Sequence, residues 1–383
     1  MATASPTASS KVTIHGRYGD PSPWWHVDLT MVATTIAIAL IGIAMVFSAT
    51  KGNGAVADTS YLKRLLLFMG IGVVAMIVAS LVDYQRLLAW SWGFYGVLMF
   101  LLVAVLFVGV NEKEKGSKAW FGFGPFQMQP AEFGKLAVIL VLANLLGQWR
   151  ADVDLPRLGL LIAVPGGAMV LIMKQPDLGM VLIYLFIVMG MLLVGGVKAR
   201  HLVGLMAAGV IGVFGVLNSS VLAQYQKDRL TSFADSNNNL KISYNVVQSE
   251  TTIGSGGITG QGYGRGSQTQ LNFVPEQETD FIFTVVGEEL GFVGGATLLL
   301  LYGLLSWRIW RVAQLARDRS GQLICVGVMC FIVFQVFENV GMAMRIMPVT
   351  GIPLPLVSYG GSSILTTFIA LGLVQNIHMH RFR

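Results

Sequence analysis

Apolar runs long enough to cross a membrane recur along most of the chain and are separated by short polar connections. One connection, residues 220–280, is instead long, polar and glycine-rich, and it lies between the seventh and eighth runs. A helix needs about 20 apolar residues to cross the hydrocarbon core of a bilayer. We therefore predict an all-α polytopic membrane protein with about ten transmembrane helices, at residues 29–50, 62–82, 86–109, 132–148, 157–174, 178–197, 200–219, 281–306, 322–345 and 355–377.

A segment rich in proline and glycine leads into the last apolar run. Residues Met347 to Ser363, MPVTGIPLPLVSYGGSS, contain three prolines and three glycines. Helix-breaking backbone at membrane depth is tolerated only where it is buried in protein or lines a water-filled cavity. Two interpretations are open: this proline break belongs to a functional site, or it is a re-entrant turn that only positions the last helix.

Composition narrows the class of protein and its orientation. Charged residues make up only 12% of the chain, against about 25% in soluble proteins. The net charge of +6 is carried mostly by loops, not by a soluble basic face, so we predict no nucleic-acid partner. The basic cluster 308–319 favours a topology with both termini in the cytoplasm. We predict cytoplasmic tails at 1–28 and 378–383, a transmembrane domain at 29–377 and an extracytoplasmic loop at 220–280.

Three other kinds of site are not supported. The run 253–266, IGSGGITGQGYGRG, lacks the spacing and the strand-loop-helix context of a nucleotide-binding loop, so a flexible extracytoplasmic loop is the better interpretation. Cys325 and Cys330 lie well apart around one helix and predict neither a disulfide nor a redox pair. The five histidines offer no metal-ligand spacing.

Ionisable residues inside the predicted helices are candidates for function, because a charge at membrane depth is costly. Glu132 and Lys135 are three residues apart in the fourth helix and therefore share a face. They form either a mutually neutralising structural pair or part of a substrate site.

Acidic residues also stand near the starts of two predicted helices. Asp177 and Asp280 open the sixth and eighth helices, where an aspartate either caps the N-terminus or faces a ligand. Glu288 and Glu289 lie about two turns beyond Asp280. The helical rotation per residue places Glu288 on the same side as Asp280, so we expect Glu288 to share its cavity.

These motifs together resemble a known family. The segments 116–135 (GSKAWFGFGPFQMQPAEFGK), 174–179 (KQPDLG) and 253–294, with the proline break, resemble the SEDS family over nearly the whole membrane region. Within it, VPEQETDFIF and PVTGIPLPLVSYGGSS are most similar to the RodA branch, which serves elongation, rather than the FtsW branch, which serves division. Arg345 departs from the small residue expected before this motif; it either contacts a phosphate or tunes the outer rim.

The resemblance implies a peptidoglycan glycosyltransferase of the bacterial cytoplasmic membrane that polymerises lipid II and releases polyprenyl diphosphate. The family's essential aspartate falls on Asp280, which we expect to be the general base. Lys118, Lys135 and Arg265 are candidates for neutralising the diphosphate. We expect a divalent cation, Mg²⁺ or Mn²⁺, because oxygen-rich sites without His or Cys suit these ions. The predicted substrate-binding residues are Glu132, Lys135, Lys118, Asp177, Arg265, Glu288, Ser358 and Ser362.

The resemblance also implies partners: lipid II, a class B penicillin-binding protein that supplies transpeptidation, and other membrane proteins of the elongation complex. Two rival functions are a lipid II flippase, which would move the headgroup through the same cavity, and a noncatalytic scaffold. A flippase should carry charges along its whole path, whereas an enzyme acting on outward-facing substrate should concentrate them at the outer face. A scaffold leaves the buried carboxylates and the broken helix unexplained.

Overall fold

The computed structural model describes residues 26–51, 59–110, 118–124, 126–149, 153–218 and 240–381. Most of the predicted N-terminal tail, the first part of the predicted extracytoplasmic loop and the end of the C-terminal tail lie outside these residues. The described residues form α1 (Leu29–Lys51), α2 (Thr59–Leu81), α3 (Tyr84–Ala89), α4 (Ser91–Val108), β1 (Phe121–Phe123), β2 (Phe126–Met128), α5 (Pro130–Gln148), α6 (Leu155–Met173), α7 (Leu178–Val194), α8 (Ala199–Asn218), α9 (Leu240–Ser255), α10 (Ser267–Gln270), α11 (Ile282–Leu315), α12 (Arg319–Ala343) and α13 (Gly361–Met379).

The predicted helical class is confirmed. A helix lies at every position where the sequence predicts a span. Eight of the described helices are long and apolar enough to cross a membrane, and α7 is a shorter apolar helix. The exception to an all-α fold is the small antiparallel hairpin of β1 and β2, which lies just before α5.

Three of the predicted spans differ from the helices found in the structure. The third is divided into α3 and α4. The last, α13, begins at Gly361, near the end of the proline break and not at residue 355 as predicted, because Pro353 and Pro355 cannot continue a helical hydrogen-bond ladder. The eighth, α11, is broken at Gly291, where φ is 65° and ψ is −163°.

Helices α5, α12 and α13 form the centre of the bundle. Their residues are mostly buried, whereas α2 and α4 expose most of theirs, as expected of helices that face lipid. Helix α12 packs against α5, α7, α11 and α13, and α13 also packs along α2. The last contact is close: a Cβ at Gly372 would lie 2.5 Å from the Met76 carbonyl oxygen. Small residues of this kind allow membrane helices to approach each other.

The glycine-rich run is ordered against α11, and the expectation of a flexible loop is wrong for this segment. The backbone of Gly291 interrupts the helical ladder of α11. Because backbone groups inside a membrane protein must be paired, another segment has to supply partners there. Four hydrogen bonds of 2.9–3.1 Å do so: Gln261 N–H to Glu288 O, Gly262 N–H to Glu289 O, Phe292 N–H to Gly257 O, and Val293 N–H to Ile258 O.

Two glycines of this loop make its role testable. Gly260 has φ +80° and a Cβ there would lie 2.1 Å from the Glu289 carbonyl oxygen, whereas Gly257 has φ +55° and open space around it. Gly257→Ala should cost about 1–2 kcal/mol, the usual penalty of a left-handed residue. Gly260→Ala should lower the apparent melting temperature in detergent clearly further, because the loop must move away from the helix break. Equal losses would contradict this account.

Candidate active site

A cavity of about 360 Å³ lies where α5, α7 and α13 begin, beside the proline break. Its walls also include part of α2, residues next to the hairpin, and the turn that precedes α11. The proline break therefore forms part of a cavity wall, as the first of the two interpretations expects. The predicted site residues that line the cavity are Asp280, Glu132, Asp177 and Ser362.

Asp280 lies in a tight turn before α11 and not in the helix itself. The N–H groups of residues 279–281 all donate to the Glu276 carbonyl, at 3.1–3.3 Å. Helix α11 follows Phe281 without a side-chain cap. The capping role left open for Asp280 is therefore not adopted, and Asp280 belongs to the cavity lining.

The side-chain amide of Asn339 joins this turn to the proline break. Its Nδ2 donates to the Asp280 carbonyl at 2.7 Å and to the Ile352 carbonyl at 2.8 Å. Asn339 is fully buried, and its hydrogen bond to Ile352 forms away from water. A second link joins the same segments, since Tyr359 N–H donates to the Glu278 carbonyl at 2.9 Å. The main chain that carries Asp280 is thus held from the α12 side and from the break.

The break also brings main chain close to the Asp280 carboxylate. Gly351 has φ +75°, and a Cβ at this position would lie 3.1 Å from Asp280 Oδ2. Within the turn, burial raises the pKa of the neighbouring Glu278 carboxyl above its usual value.

Glu132 and Lys135 form the predicted ion pair. Lys135 Nζ lies 2.6 Å from Glu132 Oε2, and both side chains are almost completely buried. The Lys135 ammonium also lies 4.9 Å from the centre of the Phe331 ring and 3.4 Å from Gln335 Oε1. Glu132 lines the cavity, whereas Lys135 does not. The shared helical face is confirmed, and a direct substrate contact for either residue stays a prediction.

Asp177 caps a helix and faces the cavity at once. Its Oδ1 accepts from Met180 N–H at 3.0 Å, which confirms the capping role at the start of α7. Its Oδ2 accepts from Gln129 Nε2 at 2.8 Å, and Gln129 N–H donates to Ser362 Oγ at 3.1 Å. These hydrogen bonds connect the starts of α5, α7 and α13.

Glu288 does not line the cavity, so the expectation that it shares a side with Asp280 is wrong. The helical rotation does not apply between them, because Asp280 precedes the helix. The Glu288 carboxylate instead accepts from Gln268 N–H at 2.8 Å, and from Thr269 N–H at 2.9 Å and Thr269 Oγ1 at 2.6 Å. It anchors the short helix α10 to α11.

The predicted cations for the diphosphate lie outside the cavity lining, as does Ser358. Arg265 is exposed on the loop, and Lys118 stands next to Ala119, which does line the cavity. Ser358 Oγ accepts from Leu354 N–H at 2.8 Å within the proline break. Contacts of these residues with a bound substrate stay predictions. Arg345 is not among the lining residues either.

The cation that lines the cavity is Arg64 of α2, which the sequence reasoning missed. Among the described lining residues it is the one Lys or Arg side chain. Tyr61, Arg64 and Phe68 all line the cavity. Their spacing places them on one face of α2, and this was the sequence signal that could have predicted Arg64 as a site residue. Four carboxylates share the cavity with Arg64: Glu132, Asp177, Glu276 and Asp280.

The cavity does not form a metal site by its own residues. Within the described ranges, no group of three or more His, Cys, Asp or Glu side chains is arranged to hold a metal ion. Mg²⁺ is usually bound by one or two carboxylates, with water and substrate phosphates supplying the other ligands. The Mg²⁺ or Mn²⁺ expected from the sequence stays a prediction, and it requires a phosphate-bearing ligand to complete the coordination.

Comparisons with known proteins identify the relatives of this chain. The model of the FtsW, RodA and SpoVE family, described as "Cell cycle protein", matches residues 28–383. The chain is 38% identical to stage V sporulation protein E of Bacillus subtilis, over 91% of this chain and 96% of that protein. It is 33% identical to the peptidoglycan glycosyltransferase MrdB of Escherichia coli, over 93% of this chain and 94% of that protein.

Solved structures show the same fold. One is a chain of a peptidoglycan synthase complex that coordinates polymerization and crosslinking, with a TM-score of 0.79 and 33% identity, over 93% of this chain and 99% of that chain. Another is the rod shape determining protein RodA of Thermus thermophilus, with a TM-score of 0.71 and 32% identity, over 94% of this chain and 99% of that one.

The buried pair predicts a specific pattern of stability losses. Glu132→Gln or Lys135→Met alone leaves an uncompensated buried charge, which typically costs about 3–5 kcal/mol. The double variant leaves none, so it should lose less apparent melting temperature in detergent than either single variant. The pair Asp28 and Arg308 (2.6 Å), in which the aspartate is buried and the arginine is 23% exposed, gives a comparison cycle. Additive losses at Glu132 and Lys135 would contradict the pairing.

Proposed function

The chain belongs to the SEDS family of FtsW, RodA and SpoVE, and on this premise we propose that it is a peptidoglycan glycosyltransferase that polymerises lipid II. It is a multi-pass protein of the bacterial cytoplasmic membrane. The observation that carries the proposal is Asp280, which lines a polar cavity while Asn339 and the Glu276 carbonyl hold its main chain.

The reaction assigns Asp280 the role of general base. A sugar hydroxyl of the acceptor attacks the anomeric carbon of the donor, and its proton passes to the Asp280 carboxylate. The bond between that carbon and the diphosphate oxygen breaks, and polyprenyl diphosphate leaves with the electron pair. The leaving group needs no protonation, so the paired-carboxylate mechanism of glycoside hydrolases does not transfer.

The negative charge of the diphosphate must be stabilised by positively charged groups. Arg64 lines the cavity and is our primary candidate, because a guanidinium donates two parallel hydrogen bonds to phosphate oxygens. Lys118 and Arg265 would contribute only if the hairpin and the loop approach the substrate. Lys135 does not contact the diphosphate in this proposal, because its ammonium is already paired with the Glu132 carboxylate, which it holds in place.

The distribution of buried charge favours an enzyme over a flippase. In the described residues, buried charged side chains other than Asp28 lie in the halves of α5, α11 and α12 next to the cavity. Asp28 is paired with Arg308 at the opposite end of the bundle. A flippase is expected to carry charges along its whole path. The buried charged residues are Asp28, Glu132, Lys135, Glu288, Glu289 and Glu338.

The elongation role and the partners rest on the sequence motifs and on the relatives. The motifs VPEQETDFIF and PVTGIPLPLVSYGGSS support a RodA-type elongation enzyme, although the relatives also bear sporulation and division names. One structural neighbour belongs to a complex that polymerises and crosslinks peptidoglycan. A class B penicillin-binding protein is therefore the proposed partner, together with other membrane proteins of the elongation complex.

Asp280→Asn tests the proposed base. Asn is nearly isosteric with Asp but cannot take the proton, so polymerisation of labelled lipid II by the purified protein with its partner should fall by about 10²–10⁴. Lipid II binding and the melting temperature should stay close to wild type. Glu278→Gln is the matched control, because it changes a carboxyl of the same turn that does not line the cavity, and it should keep its activity. The readout is glycan polymer on a gel.

Two results would overturn the proposal. Polymer made at a wild-type rate by Asp280→Asn would remove Asp280 from the mechanism. The detergent assay has no sidedness, so it detects polymerisation but not flipping. If the wild-type chain makes no polymer there with its partner, yet moves lipid II across liposome membranes, the flippase takes the place of the transferase.

Polymerisation should depend on a divalent cation. The cavity carries four carboxylates and one arginine, so an incoming diphosphate adds negative charge that Arg64 alone does not neutralise. A chelator should stop polymer formation, and Mg²⁺ or Mn²⁺ added in excess should restore it. Unchanged polymer formation in the presence of a chelator would exclude a role for the divalent cation. Side chains of the protein would then have to neutralise the diphosphate.

A further inference from the structure

Three residues beside the cavity each have a buried side-chain oxygen without a hydrogen-bond partner within the described residues: Glu132 Oε1, Gln175 Oε1 and Ser363 Oγ. All three residues line the cavity, and their exposed fractions are 1%, 1% and 5%. Buried polar atoms in native proteins nearly always have a partner. Oxygens left without one at the wall of a cavity are therefore expected to receive it from a ligand. We call them the acceptor set.

The acceptor set selects the chemistry of that ligand. A carboxylate and an amide oxygen only accept hydrogen bonds. Lys135 occupies the other oxygen of Glu132, and Gln175 Nε2 donates to the Leu102 carbonyl at 3.3 Å, which leaves Oε1 of each side chain for the ligand. The ligand must therefore bring several donors to one place. A diphosphate offers only acceptors and could pair with the Ser363 hydroxyl alone, so it does not satisfy Glu132 Oε1 or Gln175 Oε1.

Other parts of the same cavity suit the remaining chemistry of a lipid-linked sugar. Arg64 provides the cation for a phosphate. Tyr61 and Tyr359 both line the cavity as an edge-to-face pair with ring centres 5.2 Å apart. Aromatic surface with a few convergent polar groups is the usual composition of a small-molecule site. Sugar hydroxyl and acetamido N–H groups are donors in the number that the acceptor set requires.

From this arrangement, and resting on the proposed function, we infer that Glu132, Gln175 and Ser363 form a saccharide subsite. It binds donor groups of an N-acetylated sugar, while the diphosphate of the same substrate lies toward Arg64. Lipid II and the growing glycan strand both carry this chemistry. The subsite separates recognition of the sugar from recognition of the lipid diphosphate.

The test compares lipid-linked ligands that carry the saccharide and its stem peptide with one that carries the diphosphate alone. Binding to the full chain, made inactive by Asp280→Asn, is measured in detergent with three probes: fluorescent lipid II, a lipid-linked tetrasaccharide, and polyprenyl diphosphate without sugar. Ser363→Ala and Gln175→Met should each weaken binding of a sugar-bearing probe by about three- to tenfold, the usual effect of one lost hydrogen bond. Polyprenyl diphosphate should bind as before. The probe with the larger loss identifies the monomer or the strand as occupant.

Thr366→Val is the matched control. Thr366 lies on α13, as Ser363 does, and its Oγ1 is buried without a partner in the described structure, but it does not line the cavity. Deleting either hydroxyl should keep or raise the melting temperature, because each is an unpaired buried group. Only Ser363→Ala should weaken binding of a sugar-bearing probe.

Two outcomes overturn the inference. Unchanged binding of both sugar-bearing probes to Ser363→Ala and Gln175→Met would assign the acceptor set to internal water. Equal weakening for polyprenyl diphosphate would mean that it does not distinguish sugar from phosphate. Polymerisation by the wild-type chain is measured alongside: its presence with unchanged binding refutes the subsite alone, and its absence refutes the proposed function.

Discussion

The site depends on one constraint, which is that backbone groups in the membrane interior must be paired even where helices break. The chain leaves α12 and enters α13 through about 17 residues without a helix, so the backbone groups of this segment need partners other than a helical ladder. Asn339 meets this requirement by pairing two main-chain carbonyls with one amide. Because one of those carbonyls belongs to Asp280 and the other to Ile352, the pairing that stabilises the break also fixes the turn that carries the proposed base.

The same constraint explains why the glycine-rich loop is hydrogen-bonded to α11. At Gly291 the loop supplies partners for the interrupted α11 ladder. Gln277 then ties the turn before Asp280 to α1 and to the loop, since its Nε2 donates to the Ala49 and Thr269 carbonyls at 2.9 and 3.0 Å. Glu288 joins α11 to α10 with three further hydrogen bonds. Charged residues that look like ligands in the sequence thus hold together the segments around the site.

Local signals predicted the fold and part of the site. Hydrophobic run length located the helices, and a three-residue spacing located the Glu132 and Lys135 pair, since both depend on neighbours along the chain. The positions of Glu288, Arg64 and Asn339 depend on where distant segments meet. Glu288 was misplaced because a turn precedes the helix. Arg64 and Asn339 carry no local signal of function beyond helical spacing and a polar side chain in an apolar stretch.

The cavity divides its chemistry by charge. Carboxylate and amide side chains form part of the wall, and Arg64 is the one Lys or Arg among the described lining residues. A wall of this kind attracts groups that donate hydrogen bonds and repels a bare diphosphate, so the substrate cannot bind equally well in every orientation. The sugar is favoured at the acceptor oxygens and the diphosphate at Arg64. Orientation of this kind brings an anomeric carbon within reach of an acceptor hydroxyl, which is the part of catalysis that fixed geometry can supply.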